Sequence, residues 1–419
     1  MGEKENAFLS EQLRSYYAEH IVPGVPEIHE REFGIGDFGK KIVKRHMAFS
    51  GEKELNQFLR SEAPPFISYS AAYYARPSFR PMEGKGLEGA DLIYEFDADD
   101  IDTECKEEHD EWQCRKCGSS GKGAPKACSK CGAGVEVKQW FCSKCLQAAK
   151  EQTFKLIEVL SAELGFRDGI SINFSGKAGF HVHVRSEATK NLSREARNEL
   201  IDYLTLNGFD FEAHGFGQII SSGPSKKSAI LSCPIPSKSK GVTKRFMDRL
   251  VSFIENWNAE KLAVHGNLKR KESKFLLENK DRLLEKMEQG ILFPVNAVKP
   301  ETSGKFWRLL LEEALAEESI NLNIDRQTSV DIHKILRVPD SIHGGTGLIA
   351  KSISLAELKG FDPFKDAVAF SGGAIRVFIN KAPKFSIGGN SFGPFESVET
   401  ELPLEAAVLM IASGRAEIR

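Results

Sequence analysis

At 419 residues the chain exceeds the roughly 250 to 300 at which one hydrophobic core stops growing, which excludes a single small module. Hydrophobic residues make up 41% and charged residues 28%, a globular composition that excludes disorder and collagen-like repeats. Lys plus Arg (57) nearly cancels Asp plus Glu (59), so nucleic-acid binding would have to come from a local basic patch rather than from the field of the whole chain.

Met1–Ser10 is polar and acidic, and no stretch approaches 18 uninterrupted apolar residues, so a cytoplasmic location without membrane contact is expected. Asp91–Asp99 alternates as a strand. Leu92, Tyr94, Phe96 and Ala98 share one face, and Ile93, Glu95, Asp97 and Asp99 share the other. Seven of the eight cysteines follow between Cys105 and Cys145, six of them in Cys-x-x-Cys pairs, which in a reducing compartment argues for metal over disulfides. Leu146, Ala149, Thr153, Ile157, Leu160 and Leu164 then recur at helical spacing, with Gly165 as a C-cap. The period changes at Ile170, Ile172 and Phe174. These lead through a glycine-bounded turn, Ser175–Gly179, into Phe180, Val182 and Val184 alternating with His181 and His183, so a hairpin is expected with both histidines on one face. Residues from about Ser186 to Asn323 read as a helical insertion, broken by a Ser/Lys/Pro-rich stretch, Ser221–Gly241, that suits a mobile loop. A short helix or strand over Ser329–Leu336 precedes a Pro- and Gly-rich loop, Arg337–Leu348, able to present backbone N–H groups to an anion.

Three groups of residues carry chemistry. Asp97 and Asp99, about 6.5 to 7 Å apart at Cα if both lie on a strand, are close enough to share a divalent cation, although alone they also suit a solvated strand end. Ser175-Gly-Lys177-Ala-Gly-Phe-His181 puts a flexible turn, a cation and an imidazole within seven residues, equipment for holding phosphate oxygens, and alone it also suits an ordinary hairpin. Cys114, Cys117, Cys128 and Cys131 have the spacing of a tetrahedral zinc ribbon. Cys105, His109, Cys142 and Cys145 then make a second set of four that the ribbon interrupts, the alternative being one zinc with spare thiols. With no open ligand position, both sets read as structural Zn²⁺ sites.

Together these residues resemble a family. The strand Tyr-Glu-Phe-Asp97-Ala-Asp99, the turn Ser175–His181, Asp325, and Arg337-Val-Pro-Asp-Ser-Ile-His343-x-x-Thr-Gly are similar to the catalytic small subunit of the archaeal and eukaryotic replicative DNA primase, the archaeal form above all. Val43–Phe49, Tyr69–Pro77, the Cys/His knuckle and Phe361–Phe364 extend the resemblance over most of the chain. It implies an α+β fold: a primase catalytic core of mixed β-sheets, partly RRM-like, with an inserted zinc-binding segment and a helical subdomain. The corresponding organisation is residues 1–104 as the N-terminal part of the core, 105–145 as a ribbon within a knuckle, 146–185 as helix and phosphate-binding hairpin, 186–323 as helical insertion and 324–419 as the C-terminal part of the core. It further implies Asp97, Asp99 and Asp325 as ligands of catalytic Mg²⁺ or Mn²⁺. Ser175, Lys177, His181, Arg337 and His343 would hold the incoming triphosphate, with Arg45 as a further contact. The activity implied is primer synthesis on a single-stranded DNA template from nucleoside triphosphates, with a large subunit carrying an iron–sulfur domain as partner. A related primase–polymerase of repair or plasmid replication, or a non-catalytic zinc-ribbon adaptor for nucleic acid, are the competing expectations.

Overall fold

The computed structural model describes residues 2–222, 229–258, 270–292 and 300–419. The chain divides into two compact units, one of Met1–Ile157, Phe166–Asn198 and Ile324–Arg419, the other of Glu158–Gly165 and Glu199–Asn323.

The first unit opens with the helix Glu3–Glu19, whose buried Leu9, Leu13, Tyr16 and Tyr17 recur at helical spacing. Strands β1 (Arg31–Asp37), β2 (Lys40–Met47), β3 (Phe66–Tyr74) and β4 (Leu87–Ala90) follow, then β5 (Leu92–Asp97). Every residue of β3 is buried, as its run Phe-Ile-Ser-Tyr-Ser-Ala-Ala-Tyr-Tyr requires of a strand covered on both faces. β5 ends at Asp97. Asp99 lies just past it in a turn closed by Asp100 N–H to Asp97 O at 3.0 Å, so the strand is two residues shorter than its alternation predicts.

The cysteine segment forms a small sheet, β6 (Glu111–Cys114), β7 (Ser120–Lys122) and β8 (Val135–Lys138), with β6 central. The helix Ser143–Ala162 follows, and Gly165 takes the positive φ of 75° that suits a helix terminator. β9 (Ile170–Phe174) and β10 (Gly179–Val184) then make the expected hairpin. β10 inserts between β9 and β5 and runs antiparallel to both. β5 and β9, joined by a helix, are therefore parallel but not adjacent. That split arrangement keeps this sheet antiparallel; every other pairing among the described residues is antiparallel too, where mixed sheets were expected.

The second unit was expected to be mainly helical. It also carries β11 (Ile219–Ser222), β12 (Ala229–Ser232) and β13 (Ile291–Leu292), paired in that order. β11 and β12 extend into the Ser/Lys/Pro-rich stretch predicted as a loop, because Ile219–Ile220 and Ala229–Leu231 are short apolar runs able to pair. The middle of that stretch, residues 223–228, lies outside the described residues. Phe246, Leu250, Trp257, Leu276, Phe306 and Trp307 belong to this unit's core.

Back in the first unit, β14 (Ile335–Arg337) pairs with β3, giving the order β14-β3-β1-β2 with β4 also on β3. β15 (Ser352–Ile353) completes the second sheet, β15-β9-β10-β5. A buried ionic cluster joins the two sheets. Asp91, just before β5, accepts from Arg31 at 3.1 Å, from Arg185 at 3.1 Å and from the Tyr73 hydroxyl at 2.5 Å, and the Arg31 guanidinium covers the Tyr73 ring at 3.6 Å. Burial pushes the Asp91 carboxyl up, but His183, Arg31 and Arg185 together hold it well below its usual range. His183 is itself fully buried, bonded to Asn173 at 3.0 Å. The cleft described next lies where these two sheets meet.

Candidate active site and metal centres

Register sets the geometry of the cleft. In the β5–β10 ladder His181 stands opposite Glu95 and Gly179 opposite Asp97. Residues directly opposite in an antiparallel pair project to the same face, and His181 Nε2 lies 3.3 Å from Glu95 Oε1. The Ser175–Gly179 turn needs its glycines. A Cβ on Gly179 would sit 2.7 Å from Phe96 O, and one on Gly176, whose φ is +81°, would sit 2.7 Å from His343 Cβ. Ser175 Oγ accepts from the N–H groups of Lys177 and Gly179 at 3.3 and 3.1 Å and so braces its own turn.

A cleft of about 330 Å³ is lined by Arg45, Asp97, Ser175, Lys177, His181, Arg337 and His343 among others. All six residues expected at the triphosphate therefore meet around one cavity, from segments more than 290 positions apart. Two of the three expected metal ligands, Asp99 and Asp325, are absent from its lining, whereas Glu95 is present. Asp99 instead pairs with Lys177 at 2.8 Å. Asp325 caps the helix Arg326–Val330, accepting from Gln327 N–H at 2.9 Å. It is tied to β5 through Thr328, whose hydroxyl oxygen lies 2.5 Å from Asp325 Oδ2 and 2.7 Å from Glu95 Oε2 and accepts from Lys334 Nζ at 2.7 Å. One hydroxyl proton can serve only one of those carboxylates at a time.

Electrostatics divides the cleft into two walls. Burial, reinforced by Asp99, raises the Asp97 carboxyl above its ordinary range. Burial acts the same way on Glu95, but His181 and Lys334 outweigh it and hold that carboxyl low. An all-oxygen donor set in which burial and a neighbouring carboxylate make Asp97 reluctant to ionise fits a hard divalent cation. Across the cleft, burial brings the Arg337 guanidinium down to about 10. It lies 4.6 Å over the Phe66 ring, and its Nη1 is buried without a hydrogen-bond partner. Burial, with Arg337 and Lys41 nearby, holds His343 neutral. Gly345 N–H approaches His343 Nδ1 at 3.2 Å, so Nδ1 accepts and the ring proton is assigned to Nε2. Arg45 is engaged by Glu32 at 2.9 and 3.3 Å.

Glu95, Thr328 and Lys334 were not singled out from the sequence. For Glu95 the signal was present, since alternation puts it on the Asp97 face. For Thr328 and Lys334 no local pattern exists.

The two cysteine sets assemble as paired. Ligand atoms of Cys105, His109, Cys142 and Cys145 lie within 4.8 Å of one another, and so do those of Cys114, Cys117, Cys128 and Cys131. Sulfur separations of 3.3 and 3.7 Å in the first set and 3.5 and 3.7 Å in the second approach the ~3.8 Å edge of a tetrahedron with ~2.3 Å zinc–sulfur bonds. Both sets can hold zinc. His109 Nδ1 meets the buried Asp110 Oδ1 at 2.8 Å, leaving Nε2 for the metal, and the same oxygen accepts Trp140 N–H at 2.9 Å. Among the described residues, no helix is long and apolar enough to cross a membrane.

Half-buried carboxylates share the cleft with several cations and a buried histidine, an arrangement that suits polyphosphates. Residues 137–355 match the family model described as DNA primase small subunit, and the chain belongs to that family. It is 29% identical over 438 residues to the DNA primase small subunit PriS of Methanothrix thermoacetophila and 30% identical over 422 residues to that of Nitrosopumilus maritimus, covering all of both chains in each case. The PriS of Archaeoglobus fulgidus is 29% identical over 415 residues, 98% of this chain and 97% of the relative. The protein is thus a DNA primase of replication, a nucleotidyltransferase.

Proposed function

We propose that this cleft joins nucleotides into short primers on a single-stranded DNA template, with the triphosphate of the incoming nucleotide lying between the carboxylate wall and the cationic wall. The observation that carries the reading is the convergence of Arg45, Ser175, Lys177, His181, Arg337 and His343 on the cavity that Asp97 also lines. Asp97 and Asp325 keep the roles expected of them as ligands of Mg²⁺ or Mn²⁺. Glu95 joins them, because it lines the cleft and shares Thr328 with Asp325. Asp99 acts from the rim by steadying Lys177. Bound divalent ions would lower the pKa of the attacking 3′-hydroxyl and offset charge on the departing pyrophosphate.

The chain's own groups divide the rest of the work. Lys177 and Arg337 supply positive charge to phosphate oxygens, while His343 supplies a hydrogen bond from Nε2 without adding charge. His181, held by Glu95, is positioned rather than free to rotate. The hairpin sheet β15-β9-β10-β5 is the part of the fold we assign to an RRM-like unit, and the two cysteine sets are assigned one structural Zn²⁺ each. A primase large subunit is the expected partner, with the complex acting at replication forks in the cytoplasm.

The test is incorporation of labelled nucleotide on a single-stranded template, with and without Mg²⁺ or Mn²⁺ and with and without a large subunit. Metal-dependent synthesis without a pre-existing primer is expected. Template binding without any incorporation would instead favour a zinc-ribbon adaptor, and extension only from a supplied primer would favour a repair-type primase–polymerase.

A further inference from the structure

A formal charge of −2 over the whole chain conceals one strongly cationic surface. β2 is the edge strand of its sheet and reads Lys-Lys-Ile-Val-Lys-Arg-His-Met, with its first five residues exposed. Arg80 lies against it, donating from Nη2 to Arg45 O at 3.2 Å. Beside Arg80, the Arg76 guanidinium covers the ring of Phe79 at 4.7 Å, and that residue is 42% exposed. Among the described residues Lys40, Lys41, Lys44, Arg76 and Arg80 pair with no carboxylate.

The acid beneath this surface is already committed. Glu32 is buried and shared between Arg45 at 2.9 Å and Lys85 at 3.3 Å. Burial, with Arg45 and Arg80 adding to it, holds the Lys85 ammonium below its usual range against the pull of Glu32. The other acids of these two segments are Asp37, at the hairpin turn, and Glu83. A net excess of positive charge on a folded surface is stabilised by a polyanion.

Lysines on an edge strand can simply guard it against pairing with another chain. That role does not explain why Ile42 and Val43 stand 43% and 52% exposed between them, since exposed apolar residues on an edge invite the pairing the lysines would prevent. Nor does it explain continuity with the active site, whose lining includes Lys41, Ile42 and Arg45. Surfaces that bind single strands combine cations along the backbone path with apolar or aromatic groups that meet the bases.

We propose that the outer edge of β2, together with the Arg76–Arg80 turn, binds the single-stranded template and leads it into the cleft, an inference that rests on the reading of the cleft given above. Phosphates meet Lys40, Lys44, Arg76 and Arg80, and bases meet Phe79 and the Ile42–Val43 pair.

The test uses the full-length triple variant Lys40→Ala/Lys44→Ala/Arg76→Ala, none of whose positions belongs to the nucleotide set. Binding of a 20-residue oligothymidylate is measured by fluorescence anisotropy across a salt series, alongside thermal unfolding and nucleotide incorporation. Each single-strand phosphate contact contributes about 0.7 to the slope of log affinity against log salt, so losing three should lower the slope by about 2 and the affinity roughly 100-fold at 0.1 M salt. Unfolding temperature, and KM for nucleotide at saturating template, should stay at the wild-type values. Phe79→Ala should weaken binding with the slope unchanged. Wild-type affinity and slope in the triple variant overturn the proposal. So does new self-association at unchanged affinity, which identifies an edge guard, or loss of large-subunit binding at unchanged affinity, which identifies a protein interface. A wild-type protein that incorporates no nucleotide, while the triple variant still loses oligonucleotide affinity, would sink the reading of the cleft and leave this surface standing.

Discussion

Among the described residues Arg337 Nη1 is buried with no hydrogen-bond partner, and replacing Arg337 should separate stability from function. Burial brings the guanidinium from its ordinary 12.5 to about 10, a difference worth about 3 kcal/mol against the charged form. At neutral pH the group is charged whether the chain is folded or not, so the folded state carries that whole penalty. Stacking on Phe66 offsets about 0.5 to 2 kcal/mol of it, leaving a net cost of roughly 1 to 3 kcal/mol. Arg337→Met keeps the volume and removes the charge. The variant is expected to unfold at an unchanged temperature or a few degrees higher in the absence of nucleotide. Its kcat/KM for nucleotide should fall about 10- to 150-fold, the value of one charge-assisted contact of 1.5 to 3 kcal/mol. Differential scanning calorimetry with and without nucleotide, and steady-state incorporation on the same preparation, measure both. Unchanged kcat/KM would refute the phosphate role, and a lower unfolding temperature without ligand would show that the charge is already balanced in the free protein.

Glu95→Gln and Asp97→Asn should each reduce incorporation by more than about 100-fold, whereas Asp99→Asn should act more mildly through Lys177; near-equal losses in all three would return Asp99 to the metal site. Because the Asp97 pKa is raised on folding, its ionised form is disfavoured above the ordinary carboxylate range, so Asp97→Asn should hold or increase stability at neutral pH by thermal unfolding. Elemental analysis should find two zinc ions per chain, and Asp110→Ala should weaken one of them about 10- to 100-fold in chelator competition, since it removes the anchor of His109 and the acceptor of Trp140 N–H. Burial pushes the His183 pKa down to about 4, so between pH 6.5 and 4 the unfolded chain binds a proton that the folded one refuses; stability in urea should fall by about 3 kcal/mol over that window, and His183→Gln should flatten the decline.

Much of this site can be read from local pattern. The hairpin with its Ser175–Gly179 turn, the helix that stops at Ala162, three residues before Gly165, and the pairing of the cysteines all follow from period and spacing, because each depends on residues close in sequence. The end of β5 does not. Alternation continues through Asp99, but the chain leaves the ladder after one last cross-strand bond, Ala98 N–H to Ala178 O at 2.9 Å, and turns as Asp100 N–H closes on Asp97 O at 3.0 Å. Alternation puts Glu95, Asp97 and Asp99 on one face without saying which of them the cleft takes in; Glu95 and Asp97 line it, and Asp99 pairs with Lys177. The Thr328–Lys334 link to Glu95 joins residues 233 positions apart and leaves no trace in either segment. The cluster around Asp91 is hidden for the same reason, since charge in a sequence does not announce burial. Split pairing also escapes pattern, because a strand–helix–strand order looks the same whether or not a third strand later enters between the two.

The outer cysteine set lies on both sides of the ribbon, and this changes what the ribbon's length means to the rest of the molecule. His109 and Cys142 close the chain on itself with 32 residues between them, and the bond from Trp140 N–H to Asp110 Oδ1 clips the two stems together just inside the metal. With zinc in place, the core meets two chain ends at a fixed separation, whatever lies between. Closing a loop of 32 residues instead of one of 6 costs only about 1.5 kcal/mol of chain entropy. The outer set therefore works as a socket. A segment seated in it can lengthen, shorten or be exchanged at small thermodynamic cost while the Asp97 strand and the Ser143–Ala162 helix on either side keep their places.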